Sequence, residues 1–326
     1  MAMTFGIATV RFAPGSQSGE GAPADTPAVV VDDRAVPLDV LLGAGDGRRA
    51  PGSVLELLPD ASSWFSRIGA ADLVPSERAG WVSTEEVEFL PPLPNPPTIY
   101  CAGANYRDHI EEMTGRAPDD AYAVPYHFLT PAGALSGHRA AVPRPPGCTQ
   151  LDWEIELAVV IGRRAEHVSL DAALEYVAGY TVANDLSMRD FALRPDVPFG
   201  VDWIRSKGYT GCLPVGPTII PSAFVPDPQH LSLSLSVNGE KMQDSSTALM
   251  LFSVAEQIAA LSAIVPLLPG DLICTGTPAG VGFARGRFLE PGDVAVAEIE
   301  ILGRLETRVV ESASVAANET VDASRS

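Results

Sequence analysis

The sequence predicts a mixed α/β fold rich in β-strands, and three patterns support this prediction. The segment LSLSLSV (231–237) alternates polar and apolar residues and runs into Asn238-Gly239, as a strand does before a tight hairpin turn. Two Pro-Gly-Asp turns, at 269–271 and 291–293, each lead into a run with strand composition. Strands and helices show no regular alternation and no long-period repeat, which disfavours a doubly wound sheet or a TIM barrel.

One helix is predicted over 253–265, where Ser253 and Glu256 have capping-box spacing ahead of apolar residues at helical period. The proline-rich segment LPPLPNPPTIY (90–100) is typical of a stiff connection between two units. We therefore expect a small N-terminal domain over 1–92, a larger domain over 93–311 and a polar C-terminal tail over 312–326.

Composition and charge narrow the choice of partners. The 326 residues are 46% hydrophobic and 19% charged, as in an ordinary globular protein with a buried core. The net charge of −19 disfavours nucleic acid, and the sequence contains neither an apolar run long enough for a membrane span nor a secretion signal. Four widely spaced cysteines without a CxxC pair indicate reduced thiols. We predict a cytoplasmic protein that binds a small molecule.

The stretch LDWEIELAVVIG (151–162) places Glu154 and Glu156 on one face of a strand, ahead of an apolar run. Two such carboxylates would repel each other, so something should neutralise them unless the face is solvated. The stretch GYTVANDLSMRD (179–190) contains a second strand that ends at Asp185. Three carboxylates at neighbouring strand ends would form an oxygen-only site suited to Mg²⁺, Mn²⁺ or Ca²⁺. We expect a divalent cation there, with a purely structural calcium site as an alternative.

Other candidate groups lie outside these strands. His109 and Glu112 would face each other on a helix, and a carboxylate that orients an imidazole is a common general-base arrangement; an exposed helical pair is the alternative. Arg189 and Lys207 supply positive charge for an anionic substrate, although Lys207 could equally lie at the surface. The glycine-rich loop ICTGTPAGVG (273–282) can present backbone N–H groups and the hydroxyl of Thr275 or Thr277 to an anion.

In this order, the motifs resemble the fumarylacetoacetate hydrolase family over roughly residues 97–311. The matching stretches are GxNYxxHxxE (103–112), DxExELAVVIG (152–162), GYTVANDxSxRD (179–190), Lys207 before GxxPxGP, VNGxxxQ (237–243) and PGDxIxTGTPxGVG (269–282). The resemblance implies a β-roll of mixed sheets with a smaller N-terminal domain, and usually a homodimer. It also implies that Glu154, Glu156 and Asp185 are ligands of Mg²⁺ or Mn²⁺. His109, Glu112 and Lys207 would be the catalytic groups. Arg189, Thr277 and Tyr106 would contact the substrate.

The expected reaction is hydrolysis of a carbon–carbon bond in a 1,3-dicarbonyl 2-oxo acid, such as an acylpyruvate or a fumarylacetoacetate-like substrate. The metal would stabilise the enolate leaving group, and His109, oriented by Glu112, would activate water. Decarboxylation of an oxaloacetate-type acid and isomerisation or hydration of an oxo-dioate are alternatives within the family. A metal-binding module without catalysis is the alternative from another class.

Two positions depart from the pattern common in this family. Ala192 stands where many members have glutamine, and Thr130 stands where many have lysine. At Ala192 a hydrogen bond to the substrate would be missing or supplied from elsewhere, and the loss of a cation at Thr130 favours a substrate with a neutral or bulky acyl end. The insert RPDVPFGVDW (194–203) adds apolar and aromatic residues near the predicted site.

Overall fold

The computed structural model describes residues 3–12, 25–43, 48–75, 80–116, 123–198 and 200–312. The predicted strand-rich mixed α/β fold is confirmed. Apart from its first residue, the predicted polar tail over 312–326 lies outside the described residues. No helix within the described ranges is long and apolar enough to cross a membrane.

The strands are short and are numbered here in chain order. Up to residue 161 they are β1 (Gly6–Phe12), β2 (Thr26–Val31), β3 (Arg34–Pro37), β4 (Val82–Ser83), β5 (Val87–Phe89), β6 (Ile99–Ala102), β7 (His127–Leu129), β8 (Leu135–Ser136), β9 (Ala141–Pro143), β10 (Leu151–Asp152) and β11 (Ile155–Ile161). They continue as β12 (Val177–Asn184), β13 (Ser187–Met188), β14 (Leu193–Arg194), β15 (Gly200–Val201), β16 (Leu213–Pro221), β17 (Ser232–Val237), β18 (Glu240–Ser246), β19 (Leu272–Cys274), β20 (Val294–Ile299) and β21 (Gly303–Val310).

The described residues form fewer α-helices than strands. The α-helices are α1 (Leu38–Leu42), α2 (Val54–Leu57), α3 (Ala61–Gly69), α4 (Arg107–Thr114), α5 (Arg189–Ala192), α6 (Trp203–Lys207), α7 (Val254–Ser262) and α8 (Gly282–Arg285). Single turns of 3-10 helix lie at Leu58–Asp60, Thr84–Glu86, Ala132–Ala134, Ser222–Phe224 and Thr247–Leu249, with a longer one at Leu170–Tyr176.

A twelve-stranded mixed sheet runs through the molecule in the order β4-β3-β2-β1-β16-β12-β11-β19-β6-β7, with β5 on β1 and β8 on β16. The N-terminal strands join the rest at the β1–β16 pair, where Ile7 lies opposite Ile219. Residues before and after the proline-rich segment thus share one sheet, and the division at residue 92 stays a prediction.

The second sheet, in the order β18-β17-β20-β21-β9, packs against one face of the large sheet. Strand β11 is buried on both faces, which explains its continuous Val/Ile/Leu run. Its residues Ile155, Leu157 and Val159 share a core with the apolar residues of β17 and β20, whereas Ala158 and Val160 face the core that contains the N-terminal helices. The central strand β11 is therefore held rigidly, and its start provides a fixed base for side chains.

The local sequence predictions are confirmed. The LSLSLSV segment forms β17, with alternating burial, and turns through Asn238-Gly239 into β18. The helix α7 carries the predicted capping box between Ser253 and Glu256. The two Pro-Gly-Asp turns precede β19 and β20.

Candidate active site

Three carboxylates meet where β11 begins and β12 ends. The two strands are antiparallel, with Ile155 opposite Asn184, so the residue before β11 lies beside the residue after β12. The backbone N–H of Asp185 donates to the carbonyl of Glu154 (2.9 Å). Because residues two apart on a strand share a face, Glu156 joins them. The structure thus brings together the three predicted metal ligands at one end of the large sheet.

The donor set fits a hard divalent cation. One carboxylate oxygen from each of Glu154, Glu156 and Asp185 lies within 4.8 Å of the others, and all three residues are buried. Among the described residues, Asp185 Oδ1 has no hydrogen-bond partner although it is buried. A buried, unpaired carboxylate oxygen is costly without a positive partner. Oxygen-only ligands of this kind suit Mg²⁺ or Mn²⁺ better than zinc.

The buried Lys207 and the partly buried Arg189 place positive charge against the same carboxylates. Lys207 Nζ donates to Glu154 Oε2 (2.6 Å), to Asp185 Oδ2 (2.8 Å) and to the Asp185 carbonyl (2.9 Å). Arg189 donates to Glu154 Oε1 (2.6 Å) and to Asp152 Oδ2 (2.9 Å). The alternative reading of Lys207 as a surface residue is therefore wrong, since its side chain is only 5% exposed.

These contacts give the carboxylates different acidities. Burial alone would raise the pKa of Glu154, but Lys207 and Arg189 outweigh it and lower that pKa to about 2. Burial and the nearby Asp185 carboxylate raise the pKa of Glu156 well above its ordinary value. Burial also raises the pKa of Asp185, against the opposing effect of Lys207. Glu156 and Asp185 are thus the two carboxylates whose charge is least compensated.

The predicted His109–Glu112 pair lies on α4, with His109 buried and Nδ1 3.6 Å from Glu112 Oε2. That separation is longer than a hydrogen bond, so the two groups are adjacent but not tightly paired. Both carboxylate oxygens of Glu112 lie 3.0 Å from the backbone N of Gly280, which donates to them. Burial would raise the pKa of Glu112, but His109 and the Gly280 N–H outweigh it and lower that pKa.

The glycine-rich loop after β19 forms another wall of the site. Gly276 has φ of +95°, and a side chain there would collide with Asn105, so glycine is required. Its N–H donates to Glu156 Oε2 (2.8 Å). The Thr275 hydroxyl donates to the Leu157 carbonyl (2.9 Å), whereas Thr277 accepts from Gln243 (2.8 Å). The hydroxyl proton of Thr277 thus stays available to a ligand.

Behind the loop, Asp152 has no role in the sequence predictions, yet it links several parts of the site. Its carboxylate accepts from Arg189, from the N–H of Gly282 (2.6 Å) and from the N–H of Phe283 (3.0 Å), and it is fully buried. Asp152 therefore connects the guanidinium of Arg189 to the end of the glycine-rich loop. The same loop binds Glu112 through the N–H of Gly280. Its position in the sequence is a usable signal, because Asp152, Glu154 and Glu156 are spaced two apart and such residues share one face of a strand.

A cavity of about 290 Å³ opens above the carboxylates. Its walls include most of the predicted site residues, namely His109, Glu154, Glu156, Asp185, Arg189, Lys207 and Thr277, and further residues of apolar character, among them Met113, Phe128, Ala192, Leu193, Val201 and Trp203. The cavity thus has charged and apolar walls; we call the part lined by Glu154, Glu156 and Asp185 its acidic end and the part lined by Phe128, Leu193, Val201 and Trp203 its apolar end.

Glu112, Tyr106 and Thr130 are not among the residues that line the cavity. Tyr106 is completely buried, its hydroxyl has no partner among the described residues, and it does not line the cavity. Its predicted substrate contact stays a prediction. Thr130 is also buried, with its hydroxyl 3.4 Å from Cys101 Sγ, and does not line the cavity.

The chain matches the model of the fumarylacetoacetate (FAA) hydrolase C-terminal family over residues 98–310. It is 38% identical over 231 residues to a Rattus norvegicus protein named oxaloacetate tautomerase Fahd2a, mitochondrial, with 70% of this chain and 71% of the relative covered.

Two solved structures are also similar. A fumarylacetoacetate hydrolase from Exiguobacterium antarcticum has a TM-score of 0.74 and 30% identity over 94% of this chain and all of its own. A fumarylpyruvate hydrolase from Pseudomonas aeruginosa, in complex with Mn²⁺ and pyruvate, has a TM-score of 0.60 and 33% identity over 69% of this chain and 92% of its own.

Proposed function

The chain belongs to the fumarylacetoacetate hydrolase family, and from that premise we propose that it is a metal-dependent hydrolase that cleaves a carbon–carbon bond in an acylpyruvate-like acid. Members of this family are enzymes, and the relatives above are named for tautomerisation and hydrolysis of 2-oxo acids or related compounds. The choice of hydrolysis, of the substrate and of the residue roles is the proposal.

The proposal rests on one observation: carboxylates suited to a metal ion and a histidine suited to act as a base line the same cavity. Three carboxylates with an unpaired oxygen form one wall, and the His109 imidazole beside Glu112 forms another. Glu154, Glu156 and Asp185 would hold a divalent cation, which supplies Lewis-acid stabilisation of negative charge on a 2-oxo acid. The relative solved with Mn²⁺ and pyruvate supports both the divalent cation and the 2-oxo acid in this assignment.

The protein's own residues account for the rest of the reaction. His109 takes a proton from water, and the hydroxide adds to the acyl carbonyl carbon. The bond between that carbon and the adjacent methylene then breaks, and its electron pair leaves as the enolate of pyruvate. The proton held by His109 passes to the methylene carbon, so that one water yields a carboxylic acid and pyruvate.

Lys207, Arg189 and Thr277 bind and orient the acid in this scheme. Lys207 and Arg189 are fixed by carboxylates and therefore need little reorganisation when negative charge develops nearby. The free hydroxyl proton of Thr277 can be donated to a substrate oxygen.

A second candidate is keto–enol tautomerisation of an oxaloacetate-type acid, the activity in the name of the relative that is 38% identical. It needs the same stabilised enolate but moves a proton without adding water. His109, which lines the cavity, could carry that proton to and from carbon.

The test is an assay with acetylpyruvate and oxaloacetate side by side, in Mg²⁺ or Mn²⁺, that follows the enol absorbance and identifies the products. The proposal expects acetate and pyruvate from acetylpyruvate, with loss of activity on chelation. Interconversion of the oxaloacetate tautomers alone would move the assignment to the second candidate, and pyruvate from oxaloacetate alone would indicate a decarboxylase. The variant Asp227→Asn, which alters an exposed carboxylate paired with His230, is the control.

A further inference from the structure

We propose that the apolar end of this cavity is an acyl subsite that selects an uncharged acyl group and rejects a second carboxylate. This inference rests on the proposed 2-oxo acid chemistry and adds the substrate class. Oxaloacetate and fumarylpyruvate, which name two of the relatives, each have a carboxylate at both ends. The present chain would prefer a different kind of acid.

An aromatic wall forms one side of the subsite. The rings of Trp203 and Phe128 are stacked, with centroids 4.4 Å apart and planes 10° apart. The indole N–H of Trp203 donates to the Tyr126 hydroxyl (3.0 Å), which fixes the tilt of the indole. A flat apolar face that is held in place can pack against an alkyl or aryl group at low entropic cost.

An aliphatic wall comes from the β14–β15 hairpin. Leu193 and Val201 lie directly opposite each other in that pair, and both line the cavity. The Leu193 side chain is 71% exposed and Val201 is 42% exposed, so each has apolar surface that a ligand could cover. Burying such surface is the main source of affinity for an apolar group.

The spacing between the two ends follows from helix α6. Trp203 and Lys207 are four residues apart on this helix and both line the cavity. A rise of 1.5 Å per residue separates their backbones by about 6 Å. That distance is similar to the extended span from the carboxylate carbon of an acylpyruvate to the first carbon beyond its acyl carbonyl, so an acid group near Lys207 places the acyl chain beside Trp203.

The charges of the cavity argue against a second carboxylate. Arg189 and Lys207 are the two Arg or Lys residues among the described lining residues, and both lie beside the carboxylates of the acidic end, where the 2-oxo acid group would bind. Ala192, which also lines the cavity, offers no hydrogen bond. A carboxylate placed against Leu193 and Trp203 would gain no cationic partner there, and it would cover their apolar surface less favourably than an alkyl group does.

The experiment compares butanoylpyruvate with succinylpyruvate, two acids of equal chain length that end in a methyl group and a carboxylate, respectively. We expect kcat/KM for butanoylpyruvate to be at least about 10-fold higher. In Leu193→Arg, a cation enters the subsite, and the ratio should fall by at least about 10-fold through a gain for succinylpyruvate. Ile264→Arg, at an 84% exposed position that does not line the cavity, is the matched control and should leave the ratio unchanged.

The outcomes separate this inference from the proposed function. Equal or higher kcat/KM for succinylpyruvate in the wild type would overturn the acyl subsite while the hydrolase assignment stands. A ratio that Leu193→Arg leaves unchanged would also overturn it, provided that circular dichroism shows that the variant is folded. Cleavage of neither acid, with Mn²⁺ bound, would instead overturn the proposed function on which the inference rests.

Discussion

The two ends of the cavity differ in how deeply their side chains are buried and in the elements that carry them. At the acidic end, Glu154 and Asp185 lie next to the buried strands β11 and β12, and short ion pairs join them to the buried Lys207 of α6. At the apolar end, Leu193 and Val201 lie on a two-stranded hairpin and keep much of their surface exposed. The first end is preorganised and the second is open to solvent.

This difference indicates a division of labour. Charged groups stabilise a transition state best when they are fixed and shielded from water, which the central strands provide. A subsite that distinguishes acyl groups needs only shape and apolar surface, and a short hairpin can change in sequence without disturbing the sheet. Chemistry should therefore depend on the acidic end, and substrate preference on the apolar end.

The largest effect is expected for Asp185→Asn. The change removes one of three carboxylates and leaves Lys207 with one fewer partner, so the cation should bind poorly and kcat/KM should fall at least about 10³-fold for every substrate. Calorimetric titration with Mn²⁺ measures the affinity. Wild-type affinity in the folded variant would show that the cation binds elsewhere.

His109→Asn should separate metal binding from chemistry. We expect Mn²⁺ affinity to stay near that of the wild type while hydrolysis of acetylpyruvate falls by about 10²- to 10³-fold, because the proton acceptor is gone. Measuring affinity and kcat on the same preparation decides the matter. Full retained turnover would refute the assignment of His109 as the base.

Asp152→Asn tests a positioning role at the acidic end. The amide keeps the size of the side chain but weakens its hold on Arg189 and on the N–H groups of Gly282 and Phe283. We expect a loss of about 10- to 100-fold in kcat or in metal affinity, with similar losses for neutral and charged acyl groups. A change confined to thermal stability would mean that Asp152 only supports the fold.

The pKa of Glu112 predicts a pH-dependent contribution to stability. Because that pKa is lowered from its ordinary value of 4.5 in the folded protein, the carboxylate stabilises the fold above pH 4.5 and loses this contribution as pH falls through the lowered value. Glu112→Gln should therefore cost about 1 kcal/mol of unfolding free energy at neutral pH. Urea titrations should show the difference from wild type shrinking below pH 4.5; a difference that grows there would contradict the assignment.

Tyr126→Phe should have the smallest effect, and only at the apolar end. The change removes the hydrogen bond to Trp203 but keeps the ring. We expect kcat/KM for butanoylpyruvate to fall by about 2- to 10-fold, while Mn²⁺ affinity and the cleavage of acetylpyruvate stay nearly constant. Equal losses on both substrates would mean that the aromatic wall supports the whole site.

Sequence reasoning located the acidic end well because that end depends on local rules. The parity of Glu154 and Glu156 and the strand end at Asp185 follow from strand geometry, and the antiparallel register then brings them together. Partners distant in sequence were harder to foresee. The sequence raised the question of what neutralises the paired glutamates, and in the structure Lys207, 53 residues after Glu154, donates to one of them, Glu154.

The apolar end was only partly predictable, for the same reason. The insert over 194–203 was expected near the site, and Val201 and Trp203 do line the cavity. However, Trp203 stacks on Phe128, which lies 75 residues earlier in the chain, and no local sequence pattern predicts this contact. Thr130 does not line the cavity, so its departure from the family pattern does not act on the acyl subsite by direct contact.

The most direct test of the two-ended site is a crystal structure of the protein with Mn²⁺ and pyruvate. The account predicts an anomalous peak among Glu154, Glu156 and Asp185, with the pyruvate methyl group directed towards Trp203 and Leu193. A Mn²⁺ peak at another position, or a methyl group directed away from Trp203, would contradict it.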